Sequence, residues 1–301
     1  MSDYWSQYWK QGHLTSFGEE IKGNYQGLLA DTWKAFFKNN DDTASILDIG
    51  TGNGALLALA RDVYKNSCLV GIDSATLSIT QELAVDSKIT FYSNIKAESL
   101  PFDDAKFDVG VSQFGIEYSN LTLAIPELSR VLKSGAKFQF VLHDNQSSIV
   151  KPNNLILEAA HELNAQEGAL TRMERMIQEI GLHGDSSTGA EIERVKLNQS
   201  LGELVAKNRQ GIWGTNFPAF LKYVMSKNWG AERRLEMLSL FKKELLGQVE
   251  RLTDLIDASL TESKYQQLTD LCADSSLEIS EFALLNENDN IIARKVNGFK
   301  K

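Results

Sequence analysis

The chain has 301 residues, 43% of them hydrophobic and 24% charged, and its 40 acidic against 31 basic side chains leave a net charge of −9. That length accommodates one large α/β domain or a core plus a helical subdomain, with a composition ordinary for a soluble globular protein. The acidic balance argues against a long nucleic-acid footprint, which needs clustered Lys and Arg, so no nucleic-acid partner is expected. The two cysteines, Cys68 and Cys272, lie too far apart in sequence to suggest a disulfide framework. Together with the four histidines they show no metal-ligand spacing, and no metal is expected. The opening MSDYWSQYWK carries no basic segment followed by an apolar run, and no stretch approaches the ~20 apolar residues of a membrane span. A cytoplasmic protein away from the membrane is the expectation.

The first expected element is a short helix with Tyr4, Trp5, Tyr8 and Trp9, whose spacing places Tyr4 with Tyr8 and Trp5 with Trp9 on adjoining stripes. Such a cluster either docks on the core or caps a ligand pocket, completed by Gly12 and His13. A second, amphipathic helix carries Ile21, Tyr25, Leu28, Leu29, Trp33, Phe36 and Phe37, and stops in the polar run 38–42.

Residues 45–59, SILDIGTGNGALLAL, organise the rest. A buried strand (Ile46, Leu47, Ile49) passes through a turn with Gly50, Gly52 and Gly54 into an apolar helix (Leu56, Leu57, Leu59). Glycine there permits φ > 0 and lets a ligand lie against bare backbone, and the following helix aims its free N–H groups at that ligand. Asp73 ends the next strand, roughly 20 residues on, where a βαβ unit places a carboxylate against ribose hydroxyls. The spacing predicts a nucleoside-cofactor site. Residues 50–55 also fit the dinucleotide pattern G-x-G-x-x-A, so the turn alone does not choose the nucleoside. Asp48, two residues before the first glycine, would repel a pyrophosphate and attract the amino group and sulfonium of S-adenosylmethionine.

Beyond the turn, strands at 46–49, 68–72, 89–92, 107–113 and 137–142 alternate with helices at 55–64, about 76–85 and around 121–132. This is the order of a doubly wound sheet. Three segments in sequence, D-x-G-x-G-x-G at 48–54, LPFDDAKFDVGVSQFGIEY at 100–118 and ELSRVLKSGAKFQFVLH at 127–143, resemble class I S-adenosylmethionine-dependent methyltransferases of the small-molecule type. The resemblance implies an α/β, Rossmann-like doubly wound seven-stranded sheet with an antiparallel last strand. It implies S-adenosylmethionine as cofactor, held by Asp48, Gly50, Thr51, Gly52, Asn53, Gly54, Asp73, Ser74, Ala97, Glu98, Ser112 and Gln113. Two departures stand out. Ser134 and Ala136 replace a proline and a second glycine, while Gly135 is kept to end the helix in a left-handed residue. Lys96 stands where the family often carries an acid that reads the adenine amino group, and a lysine cannot accept a hydrogen bond. Glu98, Asn94 or the backbone at Ala97 are the replacements.

After His143 the alternation breaks. Helices are expected at 154–164, 169–180 and 191–208, followed by a turn GIWGTNFP at 211–218 and a long apolar stripe from Leu235 to Ile256. A closing hairpin, strands 277–285 and 291–296, is similar to the last two strands of the family's sheet. The expected organisation is an N-terminal helical cap (1–44), a cofactor-binding core (45–150 and 261–301), and a helical lid inserted between strands five and six (151–260).

In open α/β sheets ligands sit outside the carboxyl ends of the strands. His143 ends strand five and is the candidate base, because imidazole titrates near neutrality; a base is needed only where the methyl acceptor arrives protonated. Tyr4, Trp9, Glu117, Tyr118, Trp213 and Phe217 are the expected substrate contacts. Strand four is followed by SQFG in place of an Asn/Asp-Pro-Pro-Tyr/Phe turn, which disfavours a nucleobase or glutamine-amide acceptor and favours a small molecule with an O, N or C nucleophile. The alternatives are a non-catalytic S-adenosylmethionine-binding regulator and an NAD-dependent oxidoreductase. A monomer or homodimer is expected.

Overall fold

The computed structural model describes residues 4–17, 23–226 and 228–301. The chain divides into two compact units, Met1–Ser148 with Asp257–Lys301, and Ile149–Ile256.

In the first unit, β1 (Ile46–Ile49), β2 (Leu69–Asp73), β3 (Ile89–Ser93), β4 (Phe107–Gln113) and β5 (Leu132–Leu142) are parallel, and β6 (Leu277–Glu287) and β7 (Asn290–Lys300) form a hairpin. The order across the sheet is β3-β2-β1-β4-β5-β7-β6, with β7 antiparallel to both neighbours. β1 is buried at all four positions, as expected of a strand covered on both faces. It pairs with β2 on one side and β4 on the other, so chain order reverses there, and the crevice outside its carboxyl end is where such a sheet takes a ligand.

The helices of this unit are α1 (Tyr4–Trp9), α2 (Gly27–Lys38), α3 (Ala55–Val63), α4 (Gln81–Ala84) and α5 (Leu121–Val131), with one more before the closing hairpin. α2 and α3 meet through stacked Trp33 and Phe37 and the Tyr64 ring, whose hydroxyl donates to the Phe37 carbonyl. Ile125 and Leu128 of α5 pack with Phe138 and Phe140 of β5 and with Leu268 and Cys272.

The second unit consists of α6 (Val150–Leu163), α7 (Ala169–His183), α8 (Thr188–Gly214), α9 (Phe217–Ser226) and most of α10 (Ala231–Ala258). It has its own core, including Leu163, Leu170, Met173, Ile177, Leu197, Ile212, Phe217 and Leu238. α11 (Glu262–Asp274) then leads into β6. No helix among the described residues is long and apolar enough to cross a membrane.

Four local expectations change. The amphipathic helix starts at Gly27, leaving Tyr25 in the preceding segment, and Ile21 lies outside the described residues. The helix expected over 76–85 shrinks to the four residues of α4. Three consecutive N–H groups are captured by distant side chains instead: Thr76 by Ser6 Oγ, Leu77 by Ser93 Oγ and Ser78 by Asn53 Oδ1. Those bonds fasten residues 76–78 to α1, β3 and the glycine turn, in a conformation outside any helix. Gly135 does have a left-handed φ of 78°, but α5 has already ended at Val131 and the glycine lies inside the irregular start of β5. The break expected after residue 208 is a kink within α8, at Asn208 (φ −146°, ψ 66°). Its side chain accepts from Gly211 N and donates to the Leu155 carbonyl, so it restarts the helix that it interrupts.

Candidate functional site

Outside the carboxyl ends of β1, β2 and β4 lies a cleft enclosing about 630 Å³, part of it continuous with solvent. Its floor is backbone. Gly50 has φ 70°, and a Cβ there would stand 2.6 Å from Gly115 Cα; a Cβ on Gly115 would stand 2.6 Å from the Ile49 carbonyl. Two glycines back to back therefore let the β1 and β4 turns touch, leaving a bare surface for a ligand. The turn after β4 is shaped by Phe114, held at φ 53°, and by Ser112, whose hydroxyl donates to Ile49 O (2.7 Å) and accepts from Ile116 N (2.8 Å).

Asp73 enters the cleft from the end of β2. Oδ2 accepts from Gly52 N (2.9 Å) and Oδ1 from Ala75 N (2.8 Å), which fixes the carboxylate while each oxygen retains a second acceptor site. Burial raises its pKa and those two N–H bonds oppose the rise. Ser74, Ile95, Ala97 and Glu98 continue this wall. Lys96 is exposed and is not part of it, so a carboxylate is present here in Glu98, whose Oε1 accepts from Asn120 N (2.8 Å).

A second, inner chamber of about 330 Å³ adjoins through shared Trp9, Ser16, Gly50 and Phe114. Asp48, Thr51, Tyr25 and Gln113 line it. Asp48 is buried, and its Oδ2 has no hydrogen-bond partner among the described residues; neither has Gln113 Nε2. Gln113 is oriented from behind, its Oε1 accepting from the indole N–H of fully buried Trp33. Burial pushes the Asp48 carboxyl up to about 8; the Thr51 hydroxyl beside it works the other way and the Asp73 charge adds to the rise. Tyr25 is pushed up to about 12, chiefly by burial. An orphaned carboxyl oxygen and an orphaned amide N–H in one chamber suit an ammonium and a carboxylate, the two charges of an amino-acid tail.

The opposite wall is aromatic. Trp5 and Trp9 of α1 stack at 6.2 Å, and Trp5 meets Tyr118 edge-on at 5.7 Å. A Cβ on Gly52 would lie 2.6 Å from the Trp9 ring, so the indole rests on the glycine turn. Asn53 locks this arrangement: Nδ2 donates to Trp9 O (3.0 Å) and His13 O (2.8 Å).

The expected site residues therefore separate. Gly50, Asp73, Ser74, Ala97, Glu98, Trp9 and Tyr118 line the cleft, and Asp48, Thr51 and Gln113 the chamber. Several do not face either space. Gly52, Asn53 and Gly54 support the turn, Gly54 against Phe91 and Leu83. Ser112 is a buried bridge with its hydroxyl used twice. Glu117 and the expected base His143 are buried against each other and are in the lining of neither space, and Tyr4 sits on α1 outside the lining. Within the helical unit, Phe217 is fully buried against Phe220 and Phe241, which makes its ring core, whereas Trp213 is 54% exposed under the Arg209 guanidinium. Tyr25, Trp33 and Gly115 were not among the expected residues. Only Gly115, next to a strand end, carries a local signal that could have drawn attention.

Residues 47–140 match the family model described as a methyltransferase domain. Over 107 residues the chain is 36% identical to a ubiquinone/menaquinone biosynthesis C-methyltransferase of Rhodopseudomonas palustris (strain TIE-1), covering 33% of this chain and 42% of that protein. It is 30% identical over 132 residues to a malonyl-[acyl-carrier protein] O-methyltransferase of Herminiimonas arsenicoxydans, covering 44% and 45%. The chain thus spans less than half the length of these curated relatives. Among solved structures, a 1,6-didemethyltoxoflavin N1-methyltransferase of Burkholderia thailandensis aligns over 90% of this chain and 76% of its own, at 9% identity and a TM-score of 0.44. The 3-2-1-4-5-7-6 strand order, the glycine turn and Asp73 at the end of β2 accompany that match, and the segment 47–140 is a methyltransferase domain.

Proposed function

We propose that the chain transfers a methyl group from S-adenosylmethionine to a small-molecule O, N or C nucleophile. The observation that carries this is the pairing of two spaces at the sheet's switch point. Asp73 presents free acceptor sites in the cleft, and Asp48 and Gln113 present unpartnered polar atoms in the chamber beside it. Asp73 would accept from ribose hydroxyls, Ala97 and Glu98 would flank the base, and Asp48 and Gln113 would take the amino and carboxylate ends of the methionine tail. When bound there, the sulfonium supplies a methyl group open to in-line displacement. That reaction depends on alignment and exclusion of water more than on covalent help from the protein, an orientation effect worth up to about 7–11 kcal/mol in favourable systems.

The aromatic wall of Trp5, Trp9, Phe114 and Tyr118 would exclude water and hold an apolar or planar acceptor. His143 is the proposed base for an acceptor that arrives protonated. The helical unit, 149–256, is proposed as the part that selects the acceptor. The curated relatives include a C-methyltransferase named for ubiquinone/menaquinone biosynthesis, which supports a small acceptor, and an O-methyltransferase named for a malonyl group on acyl-carrier protein. Transfer of labelled methyl from S-adenosylmethionine to a panel of phenols, enols, carboxylic acids and amines tests this. Label is expected in at least one class and is expected to be lost in Asp73→Ala. A protein that binds the cofactor and labels none of them would be a non-catalytic binder.

A further inference from the structure

His143 and Glu117 come from different elements and are locked together. His143 is the first residue after β5, and Glu117 lies in the 3-10 turn Ile116–Tyr118 that follows β4. Glu117 Oε1 accepts both from the His143 main-chain N (3.0 Å) and from its ring, with Nδ1 at 2.9 Å. The His143 carbonyl accepts from Leu260 N (2.8 Å), so the residue is held on both sides. Both side chains are buried, and Glu117 Oε2 has no partner among the described residues. A main-chain N–H can only donate, and an ionised carboxylate can only accept, so with Glu117 charged Oε1 is an acceptor toward both groups. That places the ring proton on Nδ1 and leaves Nε2 bare.

Two further features point beyond packing. Phe114 (ring centroids 4.1 Å) and Tyr118 (5.9 Å) both touch the imidazole, and both line the cofactor cleft. The buried carboxylate keeps one oxygen without a partner among the described residues, and a full negative charge there is useful where a positive imidazolium must form. The titratable groups around the ring are Glu117 and Tyr118, together with Asp144 on its own segment. Asp144 is itself occupied by the Arg294 guanidinium and Gln146 N.

Resting on the methyltransferase reading above, we infer that Glu117 is a positioning residue that fixes His143 with Nε2 as proton acceptor for the methyl acceptor, whose nucleophile therefore arrives as a neutral O–H, N–H or acidic C–H. The proton passes to Nε2 and the electron pair it leaves behind forms the bond to the methyl carbon. The pair of the old carbon–sulfur bond stays on sulfur, and the imidazolium returns its proton to water. Nucleophile, base and orienting carboxylate then stand in the relation found in other His-carboxylate pairs.

Nitrogen-15 NMR of the histidine-labelled full chain tests this without a known acceptor. His143→Gln identifies the resonance among the four histidines. In the ligand-free protein, neutral His143 is expected as a single tautomer with the proton on Nδ1. Glu117→Gln, which keeps the acceptor oxygen and removes the charge, is expected to retain that tautomer and move the imidazole titration to lower pH. The midpoint is also expected at least about half a pH unit lower with S-adenosylmethionine than with S-adenosylhomocysteine, because only the former places a cation near Nε2. An Nε2–H tautomer, no shift in Glu117→Gln, or equal midpoints in the two complexes would each overturn the inference. Failure of both ligands to bind in calorimetry would instead overturn the methyltransferase reading, and the ligand-free tautomer would still decide the pair. Should Glu117→Gln not fold, the wild-type tautomer and the two-ligand comparison suffice.

Discussion

Asp48 is a residue that costs the fold stability and that the proposed cofactor would pair. Burial raises its carboxyl to about 8, far above the ordinary 3.8, so near neutral pH the folded protein holds a proton that the unfolded chain has released. The sign follows from linkage: the folded state binds more protons between those two values, so this group's contribution to stability falls as pH rises from about 4 to about 8 and is flat above. Asp48→Asn is expected to stabilise the ligand-free protein at pH 8 by on the order of a few kcal/mol, read as a higher thermal midpoint, and to lose most of the affinity for S-adenosylmethionine. Thermal denaturation and calorimetry on the same variant check both halves; a destabilised variant with unchanged affinity would contradict them. Asp48 and Asp73 were legible in sequence because motif spacing reports where a strand ends. Ser112 and Glu117 were expected as ligand contacts for the same reason, and in the structure both side chains bond within the protein, Ser112 to Ile49 O and Ile116 N and Glu117 to His143. Spacing placed them correctly at the end of β4 and in the turn beyond it, but not which way each side chain turned.

Among the elements, the N-terminal segment is the one most altered by tertiary contacts. Its aromatic spacing in the sequence left docking and capping open, and the structure combines them: α1 is fastened to the glycine turn while Trp5 and Trp9 face the cleft. Asn53 is the fastening. It also holds Ser78 N, so the same side chain helps to keep residues 76–78 out of a helix. A long-range hydrogen bond of this kind leaves no periodic trace, which is why a helix was expected over 76–85. The strands were legible because Ile, Leu and Val runs bounded by glycine and aspartate reflect burial directly. Asn53→Ala removes three bonds at once. It is expected to cost about 1–3 kcal/mol and to speed hydrogen exchange across residues 4–17 and 76–78. Cofactor affinity should fall with it, because the loosened segment carries part of the cleft wall. Unchanged exchange in both segments would show that Asn53 is not the fastening.

For the molecule as a whole, the division into two units with separate cores sets what each can influence. The turn around Trp213 and Phe217 suggested a ligand contact in sequence because aromatic residues in such a turn, Trp213 between Gly211 and Gly214, read the same whether they pack inward or face a ligand. Phe217 packs inward, between Phe220 and Phe241. Phe217→Ala is therefore expected to destabilise the helical unit by about 3–5 kcal/mol through the cavity it leaves, with S-adenosylhomocysteine affinity unchanged. Fragment-level hydrogen exchange read beside calorimetry separates the two effects, and a large loss of affinity would place Phe217 in the binding machinery after all.

The most direct test of a class I cofactor site at the β1–β2 switch point is calorimetric titration of the full chain with S-adenosylmethionine, S-adenosylhomocysteine and NAD, repeated on Asp73→Ala. Both adenosyl compounds are expected to bind the wild-type chain one to one while NAD gives no heat, and Asp73→Ala is expected to weaken them at least about tenfold, the loss of one charged hydrogen-bonding partner. Binding of NAD without either adenosyl compound, or adenosyl binding indifferent to Asp73, would contradict the assignment.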